Sequence, residues 1–258
     1  MQLIDTHCHL DLDLFDTDRH EVLVESRESG VAAFIVPGVY RSRWQNILRL
    51  CQDETDLFPA LGLHPMYMDC HSPADLHELE RHAASRNLVA LGEIGLDFYI
   101  HDPDHRKQHT LLEKQLDIAA KHQLPILLHV RKAHDQVQAL LRRKQFRHGG
   151  IVHAYSGSLQ QAEHYTRLGF KIGVGGTITY DRATRIRHIA ATLPLDTLVL
   201  ETDAPDIPPA QYHNSRNSPQ YLPLILNSLA DIRNQSRAAV AGATTANARH
   251  ILPALPAH

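Results

Sequence analysis

The stretch LVALGEIGLD (88–97) combines a nearly continuous apolar run with an acidic residue at its centre. Apolar residues at both odd and even positions are typical of a strand that is buried on both faces, as in a parallel sheet. Seven other stretches have the same character. They are LIDTH (3–7), VAAFIVPG (31–38), LFPALGLHP (57–65), LPILLHV (124–130), GGIVHAY (149–155), FKIGVGG (170–176) and TLVLETDAP (197–205). The sequence therefore predicts eight strands.

Amphipathic stretches that predict helices lie between these strands. They cover 17–30, 41–54, 104–122, 133–144, 158–169 and 181–192, and two more, at 219–233 and 236–251, follow the eighth strand. Eight strands alternating with helices over about 250 residues match a TIM (β/α)8 barrel. The alternative is an open doubly wound sheet, which is disfavoured because no GxGxxG follows the first strand. We expect an α/β fold, a TIM barrel that forms a single domain over residues 1–258.

Composition narrows the functional class. Hydrophobic residues make up 43% of the chain and the formal net charge is −3, which excludes a globally basic nucleic-acid coat protein but leaves a locally basic cleft open. Three cysteines without CxxC spacing favour a reducing compartment. No signal peptide and no run of about 18 apolar residues is evident. We therefore expect a cytoplasmic protein without membrane association, and a monomer rather than an oligomer.

Ionisable side chains follow or interrupt most of the apolar runs. They are His7, His9, His64, Glu93, Asp97, His129, His153 and Asp203. In a TIM barrel the C-terminal ends of the strands form one mouth, where active sites lie, so these groups should converge there. Residues two apart on a strand point the same way, which predicts that His7 and His9 face the barrel axis together. Each histidine alone could be structural, but a buried acid such as Glu93 is costly unless it is paired or bound to metal.

The predicted cluster has the composition of a binuclear metal site. Six candidate ligands are His7, His9, Glu93, His129, His153 and Asp203. Imidazole together with carboxylate suits zinc, manganese, iron or cobalt better than an all-oxygen set would. Glu93 is the natural bridge between two ions. We expect two divalent ions per chain, whose identity among zinc, magnesium and manganese the sequence leaves open.

The ordered motifs THCHLD, GLHP, GEIGLDFY, ILLHVRKA, VHAYSGS, LETDAP and RNSP resemble the TatD family of metal-dependent deoxyribonucleases, which are amidohydrolase-like TIM-barrel hydrolases. The resemblance extends from residue 5 to about residue 250. It implies that His7, His9, Glu93 and Asp203 hold one metal and that Glu93, His129 and His153 hold the second. It also implies metal-dependent cleavage of DNA, commonly as an exonuclease.

For this chemistry we predict three catalytic residues and a basic rim. Asp203 acts as general base toward the attacking water, Glu93 bridges the ions, and His64 binds a phosphate oxygen or assists the leaving group. Arg131 and Arg216 are the predicted substrate-binding cations, and His64 belongs with them. The expected partner is DNA or another phosphate-bearing substrate.

Two other functional classes remain open from the sequence. One is an amidohydrolase or esterase that acts on a small molecule or an aminoacyl-tRNA with the same binuclear site. The other is a non-catalytic zinc or scaffold protein, which is disfavoured because a structural zinc is closed by four ligands whereas six are available here.

Overall fold

The computed structural model describes residues 2–85, 87–99 and 104–256. Eight strands form one sheet in which every ladder is parallel and the strand order follows the chain. The strands are β1 (Leu3–Asp5), β2 (Val31–Pro37), β3 (Leu57–Leu61), β4 (Ala90–Asp97), β5 (Ile126–Arg131), β6 (Gly150–Val152), β7 (Phe170–Val174) and β8 (Leu198–Leu200). All eight predicted strands are confirmed.

Hydrogen bonds between the first and last strands bring the two edges of the sheet together. The Thr6 amide donates to the Leu200 carbonyl at 3.1 Å, and just beyond the strands the Asp203 amide donates to the His7 carbonyl at 2.8 Å. An open doubly wound sheet would leave its first strand in the interior and both edges free. The nearly closed parallel barrel therefore confirms the predicted TIM-barrel fold.

Nine α-helices lie within the described residues. They are α1 (Arg19–Glu28), α2 (Arg41–Asp53), α3 (Pro73–Ala84), α4 (His105–His122), α5 (His134–Arg143), α6 (Leu159–Arg167), α7 (Thr184–Thr192), α8 (Leu222–Arg233) and α9 (Arg237–Ile251). Helix α3 was not predicted from the sequence, although Ser72 and Asp75 form a capping box around Pro73 at its start. That box is a sequence signal for a helix N-terminus.

The strands separate two apolar layers. Ile35, Leu127, Ile151 and Val199 fill the inside of the barrel, and their sequence neighbours pack outward against the helices. The end of α9 contributes Ile251 to the inner layer. Thr245 Oγ1 on the same helix donates to the Gln2 carbonyl before β1, which places this helix at the N-terminal end of the barrel, opposite the mouth. The bottom is thus filled with apolar side chains and the mouth is left for polar ones.

Within residues 2–85, 87–99 and 104–256, no helix is both long enough and apolar enough to cross a bilayer.

Candidate metal centre

Glu93 lies in β4 at the centre of a ring of imidazoles. Its Oε1 is 2.6 Å from His153 Nε2, 2.9 Å from His129 Nδ1 and 3.1 Å from His64 Nε2. These three histidines follow β6, lie in β5 and follow β3, respectively. These three histidines, which span 89 residues of sequence, therefore meet at the barrel mouth.

The second carboxylate oxygen of Glu93 faces the other candidate ligands. Its Oε2 is 3.1 Å from His7 Nε2 and 3.6 Å from His9 Nε2. Asp203 Oδ1 lies 3.7 Å from His7 Nε2, 3.8 Å from His9 Nε2 and 3.9 Å from His153 Nδ1. All six predicted ligands thus meet in one cluster, and each oxygen of Glu93 serves a different half of it.

Strand alternation explains why β5 and β6 supply their histidines. Leu127 and Ile151 point into the barrel, so residues two positions later, His129 and His153, point the same way at the mouth. Alternation along β8 leads from Val199 to Glu201 in the same manner.

His7 and His9 lie just beyond β1, which ends at Asp5, and both point into the centre. Cys8 between them packs in the outer apolar layer, so side chains still alternate beyond the end of the strand. Backbone hydrogen bonds hold the segment: the His9 amide donates to the Ala204 carbonyl at 2.7 Å, and the His7 carbonyl accepts from the Asp203 amide. The left-handed backbone of Asp203, with φ of 60°, turns the chain at this contact.

A glycine allows the central strand to approach its neighbour. A Cβ at Gly62 would lie 2.7 Å from the Glu93 carbonyl oxygen, a separation that real side chains do not tolerate. The glycine of the GLHP motif therefore lets the segment before His64 pack directly on the Glu93 backbone.

The pKa values of the buried ionisable groups in the cluster are shifted by burial and by the charges of their neighbours. Burial raises the pKa of Glu93, but the imidazoles of His153, His64 and His7 outweigh it and hold the pKa well below its usual value. Burial lowers the pKa of His64 to about 4, against the attraction of Glu93. Burial also raises the pKa of Asp203. His64 is therefore neutral beside an ionised Glu93, which is the pairing that binds a cation. At His153, burial lowers the pKa, but Glu93 outweighs it and raises the pKa to about 10.

The donor set fits divalent metal ions. Three groups bring ligand atoms within 4.8 Å of one another: His7 with His153 and Asp203, His7 with His9 and Glu93, and His64 with Glu93 and His129. Among the described contacts, His7 Nδ1 and His153 Nδ1 are buried without a hydrogen-bond partner. Buried carboxylates and unpartnered nitrogens are costly unless something positively charged compensates them. Mixed imidazole and carboxylate ligation matches transition-metal sites.

Asp97 supports the cluster from outside and was given no role by the sequence reasoning. Its Oδ2 is 2.8 Å from His129 Nε2, and its side chain is fully buried. This contact leaves His129 Nδ1 to face Glu93. A carboxylate that holds the outer nitrogen of a histidine fixes the ring's tautomer and orientation. The sequence contained a signal for this role. Asp97 lies four residues after Glu93 in β4, and residues an even number of positions apart on a strand point to the same face.

Glu201 supports the backbone beside a candidate ligand. Its Oε1 accepts a hydrogen bond from the Ala154 amide at 2.5 Å, in the left-handed turn that follows His153. Its contact is thus with the backbone after a candidate ligand. The tautomer-fixing contact belongs to the pair of Asp97 and His129.

The predicted substrate-binding residues divide into two groups. His64 lies inside the cluster, and Arg131 Nη1 is 3.7 Å from Asp97 Oδ2, next to it. Arg216 Nη2 pairs with Asp18 Oδ2 at 2.5 Å, and its guanidinium stacks on the Phe15 ring. The substrate-binding role of all three residues stays a prediction. Arg216 already forms an ion pair with Asp18.

Comparison with known proteins agrees with this geometry. Residues 4–253 match the family model described as TatD related DNase. An uncharacterized metal-dependent hydrolase, YjjV, from Escherichia coli K12 is 40% identical over 95% of this chain and 96% of its own length. A 3'-5' ssDNA/RNA exonuclease, TatD, from Pantoea sp. (strain At-9b) is 31% identical over 92% of this chain and 94% of its own.

A solved structure of a relative has the same fold. The crystal structure of the TatD homolog YjjV from Escherichia coli superposes with a TM-score of 0.95 at 39% identity, and 98% of each chain is covered. The chain therefore belongs to the TatD-related DNase family and is a metal-dependent hydrolase of that family.

Proposed function

We propose that this hydrolase is a deoxyribonuclease that cleaves phosphodiester bonds of single-stranded DNA, with two divalent ions per chain. The observation that carries the proposal is the position of Glu93, whose two oxygens face two different sets of imidazoles. Such a carboxylate suits a bridge between paired ions, and paired ions are a recurrent device for phosphodiester hydrolysis. The exonuclease name of the Pantoea relative supports this substrate class and an exonucleolytic mode.

The proposed ligand sets follow the two sides of Glu93. His7, His9 and Asp203 would hold one ion, and His129 and His153 the other, with Glu93 shared. Zinc, magnesium and manganese are the candidate metals. When bound, two such ions lower the pKa of a water and neutralise charge that develops on the phosphoryl oxygens.

Asp203 is the proposed general base. Its side chain is 11% exposed, so it borders the mouth from which a substrate arrives. An oxygen of Asp203 that is not bound to an ion would be free to accept a proton. In this role Asp203 takes the proton of the water that attacks phosphorus, while His64 donates to a phosphate oxygen or to the leaving group.

We also propose the setting in which the enzyme works. The whole chain, 1–258, acts as one domain and as a monomer, in the cytoplasm. The supporting observation for a reducing compartment is that Cys8, Cys51 and Cys70 are all free thiols.

A metal-titrated activity screen tests the proposal. The purified protein is offered single-stranded DNA, RNA, an aminoacyl-tRNA, and small amide and phosphodiester substrates. We expect hydrolysis of DNA that depends on added divalent metal. Hydrolysis of amides or of the aminoacyl ester, without cleavage of any phosphodiester, would replace the nuclease proposal with the amidohydrolase or esterase alternative.

The Asp203→Asn variant tests the general base in the same screen. It keeps the size and shape of the side chain but has no basic oxygen, so turnover should be lost while circular dichroism is unchanged. Full activity in this variant would show that another group accepts the proton.

A further inference from the structure

An exposed tyrosine at the barrel mouth is flanked by two cations. Tyr99 follows β4 and is 58% exposed. The Arg131 guanidinium carbon lies 4.3 Å from the centre of its ring, and the Lys132 ammonium nitrogen lies 4.8 Å from the same point. Both distances are within the range of cation–π interactions. The two charges are thus confined to one place at the end of β5.

The backbone is shaped to bring these consecutive side chains together. Neighbouring residues on an extended strand point to opposite faces, so Arg131 and Lys132 would normally diverge. Lys132 has φ of 52°, the left-handed conformation that non-glycine residues rarely adopt. Unusual backbone of this kind persists where the surrounding structure holds it, and it is concentrated at functional sites.

The cationic pair adjoins the proposed catalytic centre. Arg131 Nη1 is 3.7 Å from Asp97 Oδ2, and the same oxygen is 2.8 Å from His129 Nε2. His129 in turn contacts Glu93. The guanidinium therefore lies one side chain outside the cluster, on the side of β4 and β5.

We propose that Tyr99, Arg131 and Lys132 form a second phosphate-binding subsite, which holds the phosphate next to the scissile one in a single-stranded nucleic acid. This inference rests on the proposed nuclease function and deepens it. A guanidinium offers a planar fork to phosphate oxygens, and an ammonium adds a compact charge. The tyrosine ring positions both, so Tyr99 is a positioning residue. A substrate must carry at least two phosphates to use the subsite, which favours oligonucleotides over small esters and amides.

Salt dependence of binding measures the number of phosphates that a protein neutralises. For a single strand, each phosphate contact contributes about −0.7 to the slope of log K against log salt. The Lys132→Gln variant should therefore reduce the slope by about 0.7, and its affinity at about 0.1 M salt should fall about fivefold. Tyr99→Ala should reduce the slope in the same direction, whereas Tyr99→Phe, which keeps the ring, should retain it.

The assay uses the full-length, metal-loaded protein and a fluorescent phosphorothioate single strand that resists hydrolysis. Binding is followed by anisotropy over a range of salt concentrations. Lys121→Gln is the matched control, because Lys121 lies in the last turn of α4 at the opposite end of the barrel, where it pairs with Glu80. This control should bind like the wild type.

Failure of the proposed subsite and failure of the proposed nuclease reaction give different results in this assay. A reduced slope in Lys132→Gln and Tyr99→Ala supports the subsite even if no DNA cleavage is detected, in which case only the proposed reaction fails. Metal-dependent DNA cleavage with an unchanged slope in both variants overturns the subsite and leaves the nuclease function standing. An equal loss in Lys121→Gln would also overturn it, since the effect would then be one of overall charge.

Discussion

Replacing Asp97 with asparagine should weaken metal binding without touching any proposed ligand. Asp97 Oδ2 accepts from His129 Nε2 at 2.8 Å, and the carboxylate is fully buried. Asparagine occupies the same space but presents a neutral oxygen, or an amide N–H if the side chain turns over. The amide would favour the tautomer with a proton on Nδ1, the nitrogen that faces Glu93.

The size of the effect follows from this hydrogen bond. A bond to a charged group contributes about 1.5–3 kcal/mol and a neutral one about 0.5–1.5 kcal/mol, so the exchange costs about 1–1.5 kcal/mol. That corresponds to about tenfold weaker binding of the ion that His129 would hold, and loss of such outer partners typically costs about 10- to 100-fold. The ion on the side of His7 and His9 should keep its affinity.

Competition against a chromogenic chelator resolves the two affinities. Asp135→Asn is the matched control, since Asp135 is exposed on α5 and accepts from Gln161 Nε2 at 2.8 Å, away from the cluster. If both ions bound to Asp97→Asn as tightly as to the wild type, the role given to this hydrogen bond would be wrong. Weakening of both ions equally would show that Asp97 acts on the whole mouth.

Two further predictions concern stability. In Gly173→Ala the new Cβ would lie 2.3 Å from Glu201 Oε2, so the variant should lose about 1–3 kcal/mol in urea unfolding. Gly242→Ala on α9 meets no atom within 4 Å and should instead gain up to about 1 kcal/mol; destabilisation of both variants alike would contradict this reading. His134 is buried, which lowers its pKa to about 4, and the unfolded chain therefore binds the proton first as the pH falls below 6.5. Between about pH 7 and about pH 5 the wild type should lose about 2 kcal/mol more stability than His134→Phe, and parallel curves would exclude this contribution.

The sequence predicted the fold and the cluster because both depend on local periodicity. Leu127 and His129 show how: an apolar run identifies the strand, and a spacing of two carries its inward face to the mouth. Strand ends in a barrel share one rim, so residues far apart in the chain could be assigned to one place.

Features that depend on long-range contacts could not be predicted in this way. The partner of Asp97 is His129 on the adjacent strand, and its identity follows only from the register of β4 with β5. Arg216 pairs with Asp18 across 198 residues of sequence, a contact that no local pattern specifies. The shared direction of His7 and His9 was predicted from their spacing, but the hydrogen bonds that hold them, between this segment and residues 203–204, join the ends of the first and last strands and follow from no local pattern.

If Glu93 bridges two ions, its replacement should release at least one of them, and elemental analysis of the metal bound per chain measures this loss. Glu93→Ala, and Glu93→Gln as a second variant that preserves side-chain volume, are reconstituted with zinc or manganese beside the wild type. Circular dichroism verifies that each variant is folded. We predict two ions per wild-type chain and at most one per variant chain, since each oxygen of Glu93 faces a different ligand set. Two ions retained in both folded variants would contradict the account.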